Sequence, residues 1–137
     1  MTTEPTIFVF PGELISSKNS RRPILCKGKS GKTKIVPVKS KLAKDDEDRI
    51  RDMIKNNPKF VMQWRLSLLG RSFPVRLRVQ IYRKSDRVFD YVNIVQNLFD
   101  CIVKEELLPD DSAKYLIPVF EPYKVDKNNP RTEIIIE

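Results

Sequence analysis

Residues able to do acid–base or metal chemistry are few in this chain, and their types narrow that chemistry sharply. The sequence has 137 residues and no His. Ser-His-Asp and Cys-His nucleophiles are therefore excluded, as is every His-ligated zinc site. The two Cys, Cys26 and Cys101, stand far apart and form neither a CxxC motif nor a disulfide framework. No Gly-rich phosphate loop is present, so carboxylates are what remains. Asp90 stands just before a helical pattern, and Asp110 and Asp111 stand in the turn after it. Oxygen-only ligands of this kind suit Mg²⁺ or Mn²⁺. Such an ion beside DNA would polarise a phosphate and activate water for phosphodiester cleavage. The same residues also have ordinary readings, Asp90 as a helix N-cap and Pro109-Asp-Asp-Ser112 as turn chemistry.

A polyanionic partner is suggested by the charge, and more by its distribution than by its sum. The formal net charge is +8. Residues 1–84 hold 20 Lys/Arg against 7 Asp/Glu, a net +13, whereas residues 85–137 hold 6 against 11, a net −5. From Leu14 to Lys44 there are ten cations and no acid: Lys18, Arg21, Arg22, Lys27, Lys29, Lys32, Lys34, Lys39, Lys41 and Lys44. With Asn19, Ser and Gly between them, these residues suit a phosphate backbone. A solvated loop that keeps the protein soluble is the alternative.

The elements that must position these groups follow from periodicity. Thr6–Phe10 reads as a strand stopped by Pro11-Gly12, and Lys34–Val38 as a short one that Pro37 keeps at an edge. Ser40 reads as the N-cap of a helix with Asp45, Asp46, Glu47 and Asp48 in its first turns, as favourable helix electrostatics rather than a metal site. Ile50, Met53 and Ile54 continue that helix to Asn56-Asn57-Pro58. Phe60–Leu68 and Val75–Tyr82 both alternate with period two, and Gly70–Pro74 supplies a turn, so the pair reads as an antiparallel hairpin. Its second strand presents Arg76 and Arg78 opposite Val75, Leu77, Val79 and Ile81. Trp64 and Phe60 read as sheet core.

Val92–Leu107 is a helix with Asn93, Gln96, Asn97, Asp100 and Lys104 on one polar face and Cys101 buried. Lys114–Phe120, with an edge proline, and Thr132–Ile136 close the chain as strands. The order β(β)αββαββ predicts a single α+β domain over residues 1–137, with one mixed β-sheet and two main helices. No apolar run is long enough to span a membrane, and no signal peptide is recognised. A cytoplasmic protein with no membrane partner is expected.

Phe89-Asp-Tyr-Val-Asn-Ile-Val-Gln-Asn-Leu-Phe-Asp-Cys-Ile-Val-Lys-Glu-Glu-Leu-Leu-Pro-Asp-Asp-Ser112 resembles the core of the RusA-like Holliday junction resolvases. In that family an Asp-x-Asp-Asn motif opens a helix, an Asp follows on the helix, and Asp-Asp-Ser/Asn precedes a strand. Gly12 followed by Ser17-Lys18-Asn19 is similar to the family's N-terminal segment, so the likeness runs from Gly12 to about Phe120. It implies a homodimeric, Mg²⁺-dependent (or Mn²⁺-dependent) endonuclease that cuts four-way DNA junctions in recombination and repair, often encoded by prophages. Asp90 would be the first metal ligand with Asn93 beside it, and Asp111 or its neighbour Asp110 the later one. Asp100 would act in support.

Two positions depart from the pattern. Val92 stands where the family has its second Asp, and Gln96 where it has a Lys. The loss of one carboxylate leaves a catalytically degenerate protein that binds branched DNA as a rival reading. A basic RNA-binding protein is a more distant one, to which the acidic second half is ill suited.

The metal reading makes a geometric demand. A helix over 92–107 is ~24 Å long. Asp90 and Asp111 can share an ion if the helix is shorter, if Leu108–Ser112 folds back along it, or if two subunits of a dimer complete each other's sites.

Overall fold

The computed structural model describes residues 4–16, 21–27, 33–39 and 41–137. The chain runs β1 (Phe8–Pro11), β2 (Arg21–Lys27), β3 (Thr33–Lys39), α1 (Lys41–Lys55), α2 (Pro58–Leu68), β4 (Val75–Arg83), α3 (Tyr91–Lys104), β5 (Leu116–Phe120), β6 (Lys124–Val125) and β7 (Arg131–Ile136). The main sheet is mixed, in the order β1-β7-β4-β5, with β6 also pairing β4. β7 is antiparallel to both β1 and β4, with Ile134 facing Phe8 on one side and Val79 on the other. β5 is parallel to β4, with Val75 beside Leu116. β2 and β3 form a separate antiparallel hairpin. The architecture is α+β with one mixed sheet, and the proline-bearing β5 lies at the sheet's edge.

One face of the sheet is core. The alternation in β4 buries Val75, Leu77, Val79 and Ile81, matched by Phe8 and Phe10 on β1 and by Thr132, Ile134 and Ile136 on β7. The helices cover that face with Ile50 and Ile54 of α1, Phe60 and Trp64 of α2, and Ile94, Leu98 and Ile102 of α3. Phe8, Phe10, Phe60 and Trp64 form a cluster of edge-to-face and stacked rings. The Trp64 indole N–H is satisfied by the Leu107 carbonyl at 2.8 Å.

Three expectations require correction. Phe60–Leu68 is not a hairpin strand but the helix α2, a third helix beside the expected two. Asn57 and Pro58 end α1 and also begin α2. The Asn57 side chain accepts from the Phe60 amide at 3.3 Å, and Pro58 occupies the first turn, where its missing N–H costs nothing. Phe60 and Trp64, four apart, share the buried face, while Met62 and Leu66, inward in a strand reading, are exposed. Residues 69–74 consequently join a helix to β4 rather than two strands.

The acids of α1 are the second correction. They begin in its second turn, and Asp46 and Glu47 are buried rather than solvated. Asp46 pairs with Arg49 at 2.6 Å, and Glu47 pairs with Lys104 and, more loosely, with Arg51. Ser40, the expected N-cap, lies outside the described residues.

Third, the polar positions of α3 do not form one solvent face. Asn97 is fully buried and donates to the Ala43 carbonyl at 3.1 Å, and with Lys104–Glu47 it ties α3 to α1. Cys101 is buried beside them, as expected. Among the described residues no helix is long and apolar enough to cross a membrane.

Candidate nucleic-acid and metal site

β4, α3 and β5 form a βαβ unit, so the carboxyl end of β4 delivers the chain through residues 84–90 to the N-terminus of α3. Clefts in such sheets form at the carboxyl ends of strands. A concavity of about 240 Å³ opens here, bounded by Glu13–Ser16 on one side and by Arg83, Arg87–Asp90, Asn93 and Ile94 on the other. The residues that follow Gly12 thus adjoin Asp90 and Asn93, while Ser17, Lys18 and Asn19 of the N-terminal likeness lie outside the described residues.

Specific contacts hold that segment in position. Gly12 has φ +91° and donates to the Pro130 carbonyl at 2.9 Å. The left-handed backbone favours glycine here, and a Cβ at Gly12, 2.5 Å from the Arg49 guanidinium that caps the Pro11 carbonyl, would also oblige that side-chain end to shift. The Ile15 amide donates to buried Asp46 at 3.3 Å, and the Leu14 carbonyl accepts from Arg83 at 3.1 Å. The buried acid of α1 therefore anchors a wall of the cleft.

Asp90 occupies the N-cap position of α3 with extended backbone, yet its side chain makes no capping bond. Its Oδ2 accepts instead from Asn93 Nδ2 at 3.1 Å, one helical turn on. The carboxylate is exposed, and Asn93 orients it. An aromatic chain braces the loop before it. Phe89 packs edge-on against Tyr91 and Tyr123. The Tyr91 hydroxyl donates to the Glu121 carbonyl at 3.1 Å and accepts from the Tyr123 amide at 2.9 Å. Tyr123 donates to Asp86, whose carboxylate raises the phenol's pKa.

After α3 the chain turns through Glu106 at φ +60°, buries Leu107 and Leu108, and returns alongside the helix. Asp111 consequently borders a second concavity, of about 390 Å³, with Val92, Val95, Gln96 and Phe99 of α3 and Leu116, Pro118 and Phe120 of β5. The two departures from the family pattern, Val92 and Gln96, thus share a cleft with Asp111. Asp90 does not line it. Asp110 and Asp111 are both exposed, and Val92 exposes 70 % of its surface. Among the described residues no three His, Cys, Asp or Glu side chains form a group able to hold a metal ion. Asp90, Asp110 and Asp111 are hard oxygen donors of the kind Mg²⁺ takes, but Asp90 and Asp111 line different clefts of the one chain. Asp100 is half-buried on α3 and lines neither cleft.

The expected phosphate-binding residues divide. Arg76 is exposed on β4. Arg78 is clamped between Glu121 and Glu137, so its charge is already neutralised, and its pKa rises accordingly. Arg21, Arg22 and Lys27 lie on β2, and Lys34 and Lys39 on β3. Lys18, Asn19, Lys29 and Lys32 lie outside the described residues.

Periodicity pointed to neither Glu13 nor Arg87, but a signal for Arg83 was present. Arg83 is the next inward position after Val75, Leu77, Val79 and Ile81, and a charge at such a position must be partnered inside the protein. The sequence matches no protein-family model, and no curated protein matches it.

Proposed function

We propose that this chain is a RusA-like endodeoxyribonuclease that cuts four-way DNA junctions with Mg²⁺ (or Mn²⁺), acting as a homodimer in recombination and repair. One observation carries the reading. Glu13–Ser16, the segment between Gly12 and the Ser17-Lys18-Asn19 of the N-terminal likeness, is far in the chain from Asp90 and Asn93 yet lines a single cleft with them at the start of α3. Asp90, steadied by Asn93, and Asp111 with Asp110 would hold the ion. A bound ion would supply Lewis-acid polarisation of the phosphodiester and a more acidic water. The chain's own part is to bring the backbone to that ion. The cations of residues 18–44 and Arg76 attract it, while the two clefts beside the first turns of α3 receive it. Two carboxylate positions from each protomer make a sparse ligand set, which a two-fold dimer would complete.

A second reading is favoured by Val92. Where a third carboxylate would stand there is an exposed aliphatic side chain, as expected of a protein that binds branched DNA without cutting. A synthetic four-way junction, incubated with Mg²⁺ and with EDTA, separates the two. The nuclease reading expects paired incisions that need the ion and vanish in Asp90→Asn with junction binding retained. Cutting that survives Asp90→Asn would remove Asp90 from the site. Tight binding with no incision under Mg²⁺ or Mn²⁺ would establish the binder instead.

A further inference from the structure

Arg83 presents a chemical anomaly. It exposes only 8 % of its surface, packs over the Phe89 ring at 4.8 Å and donates one Nη to the Leu14 carbonyl. Among the described residues its Nε–H has no acceptor. The anion paired with it among the described residues is Glu13, 3.7 Å from its other Nη, too far for a hydrogen bond. Glu13 instead accepts from the Lys84 backbone amide. Around this point the donors exceed the acceptors. The Lys84 amide and the Arg83 guanidinium converge on one carboxylate, and the exposed Arg87 pairs with no carboxylate among the described residues. The Asp90 side chain leaves the first amides of α3 uncapped. Buried charged donors normally find acceptors, and an arginine fork is suited to two oxygens of one tetrahedral anion.

We propose that Arg83, Arg87 and the Lys84 amide form a phosphate-binding subsite of the cleft, whose position is held by the Glu13 carboxylate when no nucleic acid is bound. The ligand is a backbone phosphodiester. It has the oxygens that a single carboxylate lacks, and it displaces Glu13 toward solvent, to which that side chain is already partly open. The exchange makes and breaks no covalent bond. It seats a phosphate beside Asp90, so the proposal rests on the DNA reading above and specifies how the backbone is registered against the carboxylate. Glu13 adjoins the basic stretch, which couples the exchange to arrival of the strand.

The test uses the full chain and two probes. Inorganic phosphate is titrated while the Arg83 Nε–Hε and Lys84 amide signals are followed by ¹H–¹⁵N NMR. Both should shift saturably. Arg87→Gln should weaken the effect about tenfold, and Glu13→Gln, which removes the competing charge, should strengthen it by a similar factor. With a four-way junction in place of phosphate, Arg87→Gln should lower the slope of log K against log salt by about 0.9. Absence of a saturable shift at both signals, in the unmodified chain and in Glu13→Gln alike, overturns the subsite even if junctions are bound and cut. An unchanged salt slope in Arg87→Gln overturns its role in gripping DNA. Saturable phosphate binding with the expected variant effects, but no junction binding, upholds the subsite and defeats the nuclease reading.

Discussion

Val92→Asp tests the metal reading most directly, because it places a second carboxylate in the cleft that Asp111 already borders. Val92 is the second residue of α3 and exposes 70 % of its surface. The backbone there accepts Asp at little cost, since the two residues have similar helix propensity and a negative charge in the first turn complements the helix dipole. High exposure also sets the dielectric. At an effective constant near that of water and a separation of ~4 Å, one carboxylate and one divalent cation attract by about 2 kcal/mol. That corresponds to roughly thirtyfold in ion affinity. The assay is the Mn²⁺ or Mg²⁺ dependence of junction incision, paired with calorimetric titration of the ion into DNA-free protein. The ion concentration for half-maximal effect should fall by that factor, with the melting temperature nearly unchanged. Unaltered ion affinity in Val92→Asp, in a protein that still folds, would refute the assignment of this cleft to the metal.

Other outcomes follow from the same structure. Arg76→Ala should weaken junction binding and reduce the salt slope by about one contact, whereas Arg78→Ala should leave the slope unchanged because Glu121 and Glu137 already balance that charge. The Arg78 guanidinium holds the Glu137 carboxyl below its usual range, so the pair stabilises the fold above the unfolded carboxylate pKa and loses that contribution as pH falls through the folded value. Acid titration of the melting temperature in Arg78→Gln should show a shallower fall over that window. Gly12→Ala should cost about 1–2 kcal/mol for the left-handed backbone, more if Arg49 is displaced, read by denaturant unfolding. Trp64→Phe, which leaves the buried Leu107 carbonyl without its donor, should cost roughly 1–3 kcal/mol in the same measurement.

Sequence legibility differed between elements for physical reasons. β4 was legible because one face is buried and the other is not, so Val75 to Ile81 alternate without exception. α2 was misread because Phe60, Met62, Trp64, Leu66 and Leu68 satisfy period two as well as a helix does. Only the capping chemistry of Asn57 and Pro58 separates the two. The acids of α1 were misread because a run of like charges resembles a solvated face, whereas Arg49 and Lys104 neutralise two of them within the protein. At the candidate site, Asp90, Asp110 and Asp111 are legible by residue type, and Asn93 only through the family resemblance. Glu13 and Arg87 are not, since their proximity arises only when Asp46 pins the N-terminal segment to α1 and β4 ends beneath it.

The seat of α3 has a mechanical consequence. Its first two turns form a wall of both clefts, and the helix is held by Leu98 and Ile102, each almost wholly enclosed, and by the Asn97 tie to α1. Asp90 and Val92 therefore move as marks on one ruler. A slip of that helix along its axis would change the spacing from Asp90 to Glu13 and from Val92 to Asp111 together. Core substitutions such as Leu98→Ala, remote from any carboxylate, would then detune both clefts at once, so the hydrophobic bed of the helix sets the gauge of the site.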